Sequence, residues 1–279
     1  MKKNLVGMAV FAVSLGCLLS LASCTKKEAS APVASEPKTL LESIKEKGEM
    51  VVGTASGYPP YEFVDIKAAG QPVIGIDMAL AKAIADKIGV KLTISDMTFG
   101  ALLSSIPANK IDVAIAGIAP TEERKKTVDF TDHYIDAEQR ILIRKTDAEK
   151  LSKLSDFYGR KIGAQKSTTQ EALAKAEIKD AEIVALDKVP ECILELLSGK
   201  IDGIVVESVV AQQYVLSNPT LTFSTAEFEN RYKATACALA KGNEDFLKLM
   251  NDVIAEKKAD GSFAKWIQEY SQKAVDNAK

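Results

Sequence analysis

One short sequence pattern occurs twice in this chain of 279 residues, and each copy follows an apolar segment with helical character. The first copy is Lys-Ile-Asp-Val-Ala-Ile at residues 110–115, and the second, looser copy is Lys-Ile-Asp-Gly-Ile-Val at residues 200–205. Strand-like and helix-like segments alternate around both copies, which is typical of parallel sheets covered by helices. The repetition predicts two comparable α/β lobes, although strands of similar composition could produce so short a match.

Apolar periodicity predicts the elements of each lobe. In the clearest case Ile76, Leu80, Ile84 and Ile88 recur every four residues, and Gly89 then stops the helix. The other predicted helices are 101–106, 169–176 and 190–197, and the predicted strands are 49–54, 90–94, 111–118, 160–165, 182–186 and 201–207.

The order of these elements places a binding cleft between the lobes. Ligands of open α/β sheets bind beyond the carboxyl ends of the strands, so two facing sheets form a cleft that hinge closure can shut. The loops that follow Thr54, Gly117, Gln165 and Val206 are therefore the candidate binding loops. The chain is expected to cross between the lobes twice, near residues 136–139 and near residues 230–233.

The first residues indicate export. A basic start and an apolar run over residues 5–21 lead to Leu-Ala-Ser-Cys at residues 21–24, as in a secretory signal. This stretch resembles the lipobox of bacterial lipoproteins. The resemblance implies a signal peptide at residues 1–23 and diacylglycerol on Cys24, which would hold the protein at the membrane outside the cytoplasm. An ordinary secretory signal or an uncleaved membrane anchor are the alternatives.

Composition divides the remaining chain. Residues 24–38 are Lys, Ser, Ala, Pro and Glu without periodicity, which predicts a flexible tether. We expect lobe 1 to comprise residues 39–137 plus 233–279, and lobe 2 to comprise residues 138–232. Net charge is −2 and both signs are interspersed without a basic stripe, which argues against a nucleic-acid partner.

Few residues point to catalysis or to a cofactor. His133 is the single histidine, and the chain has no Cys-x-x-Cys, His-Glu-x-x-His or Gly-Lys-Ser/Thr motif, so neither a metal nor a cofactor is expected. A carboxylate base at Glu207 or Glu62 would be needed for an enzyme. Cys192 and Cys237 lie in apolar runs, which favours buried free thiols over one disulfide.

Two charged residues and two aromatic residues are candidates for ligand contacts. Thr121 is a plausible helix cap, so Arg124 would lie near a helix N-terminus and could hold a carboxylate; the alternative is one charge on a solvated face. Glu207 ends a buried strand and suits an ammonium group, or it caps the next helix. Tyr58 and Phe99 suit the walls of a site, although aromatic residues are more often core.

Five motifs together resemble the bacterial extracellular solute-binding proteins of family 3, the polar amino-acid receptors of ABC importers. The resemblance extends from about residue 40 to residue 270. The motifs are 57–63 (Gly-Tyr-Pro-Pro-Tyr-Glu-Phe), 75–81, 121–132 (Thr-Glu-Glu-Arg-Lys-Lys-Thr-Val-Asp-Phe-Thr-Asp), 167–171 and 201–207. The motif at residues 121–132 is the most specific. The resemblance implies a two-lobed, type II periplasmic-binding-protein-like fold, each lobe a mostly parallel sheet flanked by helices, with two hinge crossings. It also implies a monomeric receptor, not an enzyme, that passes a free L-amino acid to the permease subunits of an ABC importer.

The same resemblance assigns the ligand contacts. Arg124 and the backbone N–H groups of Ala119 and Thr169 would bind the ligand carboxylate. Glu207 and the Gly117 carbonyl would bind its ammonium group. Tyr58 and Phe99 would flank its side chain, and Gln165 would contact the far end of that side chain. Three positions depart from the family pattern: Glu207 is more often Asp, Ala119 replaces Ser or Thr, and Ala55 replaces an acid that some relatives use for a basic ligand. A dehydratase acting on cyclic amino acids and a soluble sensor component remain alternatives on this fold.

The proposed lipid anchor gives the first testable prediction. We expect Cys24→Ser to block lipidation, because the thioether to diacylglycerol needs the cysteine sulfur, and so to release the protein from the membrane fraction or leave it unprocessed. Metabolic lipid labelling and fractionation measure this. Cys192→Ser is the matched control and should remain labelled; normal labelling of Cys24→Ser would exclude Cys24 as the attachment point.

Overall fold

The structure, a computed structural model, describes residues 38–278. Cys24, the predicted signal segment and nearly all of the predicted tether lie outside this range. In the described range, none of the helices combines the length and the apolar composition that a membrane span requires.

The described chain alternates helices and strands throughout. The helices are α1 (Leu40–Lys47), α2 (Ile76–Ile88), α3 (Phe99–Ser105), α4 (Thr169–Glu177), α5 (Val189–Leu197), α6 (Ser208–Ser217), α7 (Glu244–Ala259) and α8 (Ser262–Asn277). The strands are β1 (Glu49–Thr54), β2 (Phe63–Val64), β3 (Val73–Ile74), β4 (Lys91–Asp96), β5 (Val113–Ala114), β6 (Val128–Phe130), β7 (Ile135–Arg144), β8 (Lys161–Gln165), β9 (Glu182–Leu186), β10 (Gly203–Glu207), β11 (Leu221–Phe223), β12 (Tyr232–Thr235) and β13 (Ala238–Ala240).

The strands form two main sheets, one in each lobe. The sheet of lobe 1 has the order β4-β1-β5-β13-β6, and that of lobe 2 has the order β11-β7-β10-β8-β9, with β12 also paired to β7. The strands β4, β1 and β5 are parallel, as are β10, β8 and β9, whereas the other pairings in both sheets are antiparallel. The sheets are therefore mixed rather than mostly parallel. Strands reached through a helix run parallel, whereas β6 leads into β7, and β12 into β13, through short connections at the lobe crossings.

Two adjacent strands carry the chain between the lobes. The sheet of lobe 1 ends at β6 and that of lobe 2 begins at β7; the return path runs from β12 to β13. β7 and β12 pair antiparallel, from Ile135 opposite Thr235 to Glu138 opposite Tyr232. The prediction of two lobes joined by two crossings is confirmed, and both predicted crossings include residues of this pair. The lobe boundaries at 137/138 and 232/233 stay a prediction.

Local periodicity located most of the predicted elements closely. The strand at 49–54, the strand at 182–186 and the helix at 76–88 have the predicted bounds, and Gly89 ends α2 in the left-handed conformation. The predicted strand at 111–118 was too long, since only Val113–Ala114 is strand. The chain leaves the sheet there because Gly117 turns with φ of 53°.

The apolar residues of these elements form the core. Leu80 and Ile84 of α2 are fully buried in the same cluster as Val52 of β1. Cys192 and Cys237 are both buried and unpaired, as predicted. Burial raises the pKa of the Cys192 thiol to about 12, and it raises the pKa of Cys237 as well, so both remain neutral thiols at physiological pH.

Gly75 lies directly before α2 and packs against the loop that carries Tyr58. It precedes the first residue of α2 with φ of 138° and ψ of −178°, a backbone region essentially restricted to glycine. A Cβ atom here would lie 2.0 Å from the Tyr61 carbonyl oxygen. This close approach lets the Asp77 N–H donate to the same carbonyl at 3.0 Å, which fixes the start of α2 against the loop.

We therefore expect Gly75→Ala to lower the free energy of unfolding by about 3 kcal/mol or more, because backbone strain and a main-chain clash add. Gly89→Ala is the matched control. Gly89 also has a positive φ, but a Cβ atom there would meet nothing within 4 Å, so strain alone should cost about 1–2 kcal/mol. Urea denaturation measures the free energy of unfolding of both variants. Equal decreases in the two would show that the contact with Tyr61 does not contribute to stability.

Candidate functional site

The carboxyl ends of the strands in the two sheets face a common cleft. A small cavity of about 10 Å³, room for about one water molecule, lies there, so the cleft is nearly closed. Six of the eight predicted ligand-binding residues line it: Tyr58, Phe99, Gly117, Arg124, Gln165 and Thr169. The other two are close to these six without lining the cavity. The carbonyl of Ala119 accepts a hydrogen bond from Arg124, and Glu207 is fully buried beneath the cavity wall.

The lobes touch across this cleft. Gln170 Nε2 of lobe 2 donates to the Tyr58 hydroxyl of lobe 1 at 3.0 Å. Arg124 Nη2 of lobe 1 donates to the carbonyl oxygen of Ser167 in lobe 2, also at 3.0 Å. These contacts involve cavity-lining residues, so the site is formed by both lobes together and its geometry depends on the angle between them.

Arg124 is the guanidinium group that lines the cavity. Its Nη1 donates to the Ala119 carbonyl at 2.9 Å, and its Cζ lies 5.3 Å from the centre of the Phe99 ring. Within the described residues no carboxylate forms an ion pair with it, and burial lowers the pKa of this guanidinium. An ionised group that is half buried without a counter-charge is costly, so Arg124 favours an anionic ligand.

The predicted helix after Thr121 is wrong. Thr121 Oγ1 does accept from the Arg124 N–H at 3.3 Å, but the segment that follows is a single 3-10 turn, Arg124–Lys126. The chain cannot continue as a helix because Val128 already pairs in the lobe 1 sheet. The helix that faces the cavity is α4 in the other lobe. Its first residue is Thr169, whose N–H has no partner within the helix.

Two aromatic side chains, those of Tyr58 and Phe99, form walls of the cavity. The ring of Tyr58 stacks on Tyr61 with centroids 5.7 Å apart, which fixes one wall. Phe99 begins α3 and lies against Arg124. Gln165 ends β8, and its Nε2 donates to the carbonyl of Asp187 at 3.1 Å. That bond leaves the Gln165 amide oxygen available as an acceptor.

Lys233 is the residue that the sequence interpretation missed. Its Nζ donates to the Gly117 carbonyl at 2.8 Å and to Glu207 Oε1, and it lies 5.9 Å from the centre of the Tyr58 ring. Its side chain is only 6% exposed and that of Glu207 is 0% exposed. The two acceptors expected to bind a ligand ammonium group thus bind a lysine of the protein. The one sequence signal was its position in the second predicted crossing.

Glu62 lines the cavity and lies beside Asp77, a second buried carboxyl group. Asp77 accepts hydrogen bonds from the Gly117 N–H at 2.7 Å and from the Tyr134 hydroxyl at 2.9 Å. Burial raises the pKa of Asp77 to about 6, and burial together with Asp77 raises the pKa of Glu62 well above its usual value. These effects favour the protonated form of Glu62, which shares a hydrogen bond with Asp77. A protonated carboxyl does not serve as the general base considered for Glu62.

None of the described residues offers a ready metal site, since no group of three or more His, Cys, Asp or Glu side chains in residues 38–278 could hold an ion. The cavity is lined by one guanidinium without a carboxylate partner among the described residues, by Lys233 with its ion pair to Glu207, by two aromatic walls and by polar groups. Such a site binds a small polar molecule by its charge and shape.

Two mixed α/β lobes, two strand crossings and a polar cleft define the type II periplasmic binding proteins. The sequence matches the bacterial extracellular solute-binding proteins, family 3, over residues 50–273, and the chain belongs to this family.

Three relatives show how similar the chain is to known members. It is 30% identical over 224 residues to the L-cystine-binding protein TcyJ of Escherichia coli (strain K12), covering 80% of this chain and 82% of that protein. The substrate-binding protein AbpA of Streptococcus pneumoniae, solved with L-arginine, superposes with a TM-score of 0.81 at 32% identity over 84% of this chain and 99% of that one. The ancestral amino-acid-binding protein AncCDT-1, a precursor of cyclohexadienyl dehydratase, superposes with a TM-score of 0.75 at 30% identity, over 84% of this chain and 99% of that one.

The buried proton on Glu62 gives a prediction about stability and pH. A carboxyl whose pKa is raised on folding binds more protons in the folded than in the unfolded state above pH 4.5, so stability falls as pH rises from there. Asp77 adds a similar fall between about pH 4 and 6. Glu62→Gln mimics the protonated carboxyl, so we expect it to flatten the decline above pH 6 and to stabilise the protein at pH 8.

Urea denaturation from pH 4 to pH 9 measures this. Glu149→Gln, at an exposed position, is the matched control and should keep the wild-type profile. A Glu62→Gln profile that declines as steeply as that of the wild type would show that Glu62 is ionised in the folded protein.

Proposed function

We propose that this protein is an extracytoplasmic receptor that captures a free L-amino acid between its two lobes and delivers it to an ABC importer. The observation that carries the proposal is Arg124. It is the guanidinium of the cleft, it has no carboxylate partner among the described residues, and it contacts both lobes. A ligand carboxylate would supply the missing counter-charge and two parallel hydrogen bonds.

The remaining cavity walls suit the rest of an amino acid. The first N–H groups of α4, at Thr169, would add donors to the carboxylate. Tyr58 and Phe99 would flank the ligand side chain, and the free amide oxygen of Gln165 would contact its polar end. The predicted ammonium contacts, Glu207 and the Gly117 carbonyl, lie next to the same cavity.

Delivery to an importer would depend on the angle between the lobes. A ligand held by residues of both lobes binds the closed arrangement more tightly than the open one, and this difference shifts the population towards closure. The contacts Gln170–Tyr58 and Arg124–Ser167 would then report ligand capture at the outer surface. The permease subunits of the importer would recognise the closed form.

Attachment at Cys24 would keep the receptor near its importer. A single anchored chain needs no second subunit to complete the cleft, because one chain supplies every wall of the cavity. We therefore propose a monomer that is held at the outer face of the membrane by its N-terminal lipid, with residues 24–38 as the tether.

The proposal includes that the ligand is released unchanged. The fold also accompanies dehydratase activity, as the ancestral relative described above indicates. Such chemistry would need a base, and the carboxyl groups near the cavity are occupied: Glu62 favours its protonated form and Glu207 binds Lys233. Ligand recovered after incubation should therefore have an unchanged mass.

The test is a thermal-shift screen of the common L-amino acids and L-cystine, followed by calorimetry, starting with the L-arginine and L-cystine that relatives bind. At least one should raise the melting temperature, because a ligand that binds only the folded state stabilises it by mass action. Arg124→Ala should fold and lose about 30-fold to several-thousand-fold in affinity, since a buried carboxylate without its partner costs ~2–5 kcal/mol.

Lys126→Ala is the matched control, because Lys126 is an exposed cation of the same 3-10 turn. It should bind like the wild type. An Arg124→Ala protein that binds amino acids as tightly as the wild type would refute the site, and a screen without any ligand would refute the function.

A further inference from the structure

Lys233 has the contacts that a bound α-ammonium group would need. Its Nζ has a carboxylate in Glu207, a carbonyl in Gly117 and an aromatic face in Tyr58. These groups come from three separate loops and strands, and both members of the ion pair are almost fully buried. An ammonium group has three donors and favours such a set of a charge, a dipole and a ring face.

We propose that Lys233 is a specificity-determining residue: its side chain is a built-in ammonium group that competes with the α-ammonium group of the ligand for Glu207 and Gly117. This inference rests on the proposed function and concerns how the same cavity chooses its ligand. An amino acid must exchange its own ammonium group for that of Lys233. A carboxylic acid without the α-amino group can bind Arg124 while Lys233 stays in place.

The charges near the cavity support this competition. Burial and the neighbouring Asp77 favour the protonated form of Glu62, which therefore does not offer a second carboxylate to a second ammonium group. Arg124 is positive and lines the same cavity. A ligand ammonium group and that of Lys233 would thus share the single charge of Glu207, whose Oε1 binds Lys233 and whose Oε2 has no hydrogen-bond partner, and the two cations would repel each other. The wild-type protein therefore discriminates weakly between an amino acid and its desamino analogue.

Removing the lysine reverses the preference. In Lys233→Met the carboxylate of Glu207 is buried without a partner unless the ligand brings an ammonium group. Amino acids should then bind more tightly than to the wild type, and desamino acids more weakly, because they leave Glu207 unpaired. The ratio of the two dissociation constants separates this role from a general effect on folding, which would change both constants alike.

The experiment measures both constants by calorimetry for matched pairs of probes: L-arginine and L-cystine, each with its desamino analogue, then the same comparison for any other amino acid found in the screen. We expect the ratio of desamino to amino dissociation constants to be within about tenfold in the wild type and to rise at least about thirtyfold in Lys233→Met. Lys188→Met removes another lysine of the cleft, one that bonds Ser56 and lies outside the cavity, and should leave the ratio unchanged.

A double variant, Lys233→Met with Glu207→Gln, covers the case in which Lys233→Met does not fold. It removes both charges, so the buried pair leaves no unpaired carboxylate, and it should show a ratio close to that of the wild type. If amino acids bind but the ratio is the same in the wild type and in Lys233→Met, or if the double variant shows the high ratio, Lys233 is a structural ion pair and the inference is wrong. If no amino acid binds any of these proteins, the proposed function itself fails.

Discussion

The pairing of β7 with two of its antiparallel neighbours, β12 and β10, is the constraint on which the site depends. Lys233 of β12 lies opposite Ala137, and Glu207 of β10 lies opposite Gln139. Positions two apart on a strand share one face, and directly opposed residues share that face as well. The register therefore sends the side chains of Lys233 and Glu207 to the same side of β7. A shift of one residue in either pairing would separate the two charges.

The same strand pair lets one molecule have two lobe arrangements. β7 and β12 run side by side where the chain passes between the lobes, so a small change along this pair alters the width of the whole cleft. The lobes also contact through hydrogen bonds such as those of Arg124 and Gln170 and through the packing of α6 on α8, and apolar residues of both lobes belong to one buried cluster.

The buried charged groups differ in whether an opposite charge or a shared proton lies beside them. Glu207 Oε1 has Lys233, although its Oε2 has no hydrogen-bond partner, and Asp77 has the Gly117 N–H, the Tyr134 hydroxyl and a hydrogen bond with Glu62. Arg124 has carbonyl groups and an aromatic ring but no carboxylate among the described residues. Because partnered charges contribute to a fixed structure and an unpartnered charge attracts one from outside, this asymmetry directs an anion to the Arg124 end of the cavity.

The sequence by itself determined the elements and the class of protein. The four-residue recurrence through α2, its glycine stop and the bounds of β1 and β9 follow from local periodicity and capping, which adjacent residues decide. Arg124, Tyr58 and Gln165 could be placed at the cleft because they follow strand ends, and the family motifs include them. The mixed direction of the sheets, the short turn after Thr121 and the role of Lys233 were decided only by the tertiary structure. Each depends on strand pairings between residues far apart in the chain, as Lys233 with Ala137 shows, and local sequence does not encode the register of such pairings.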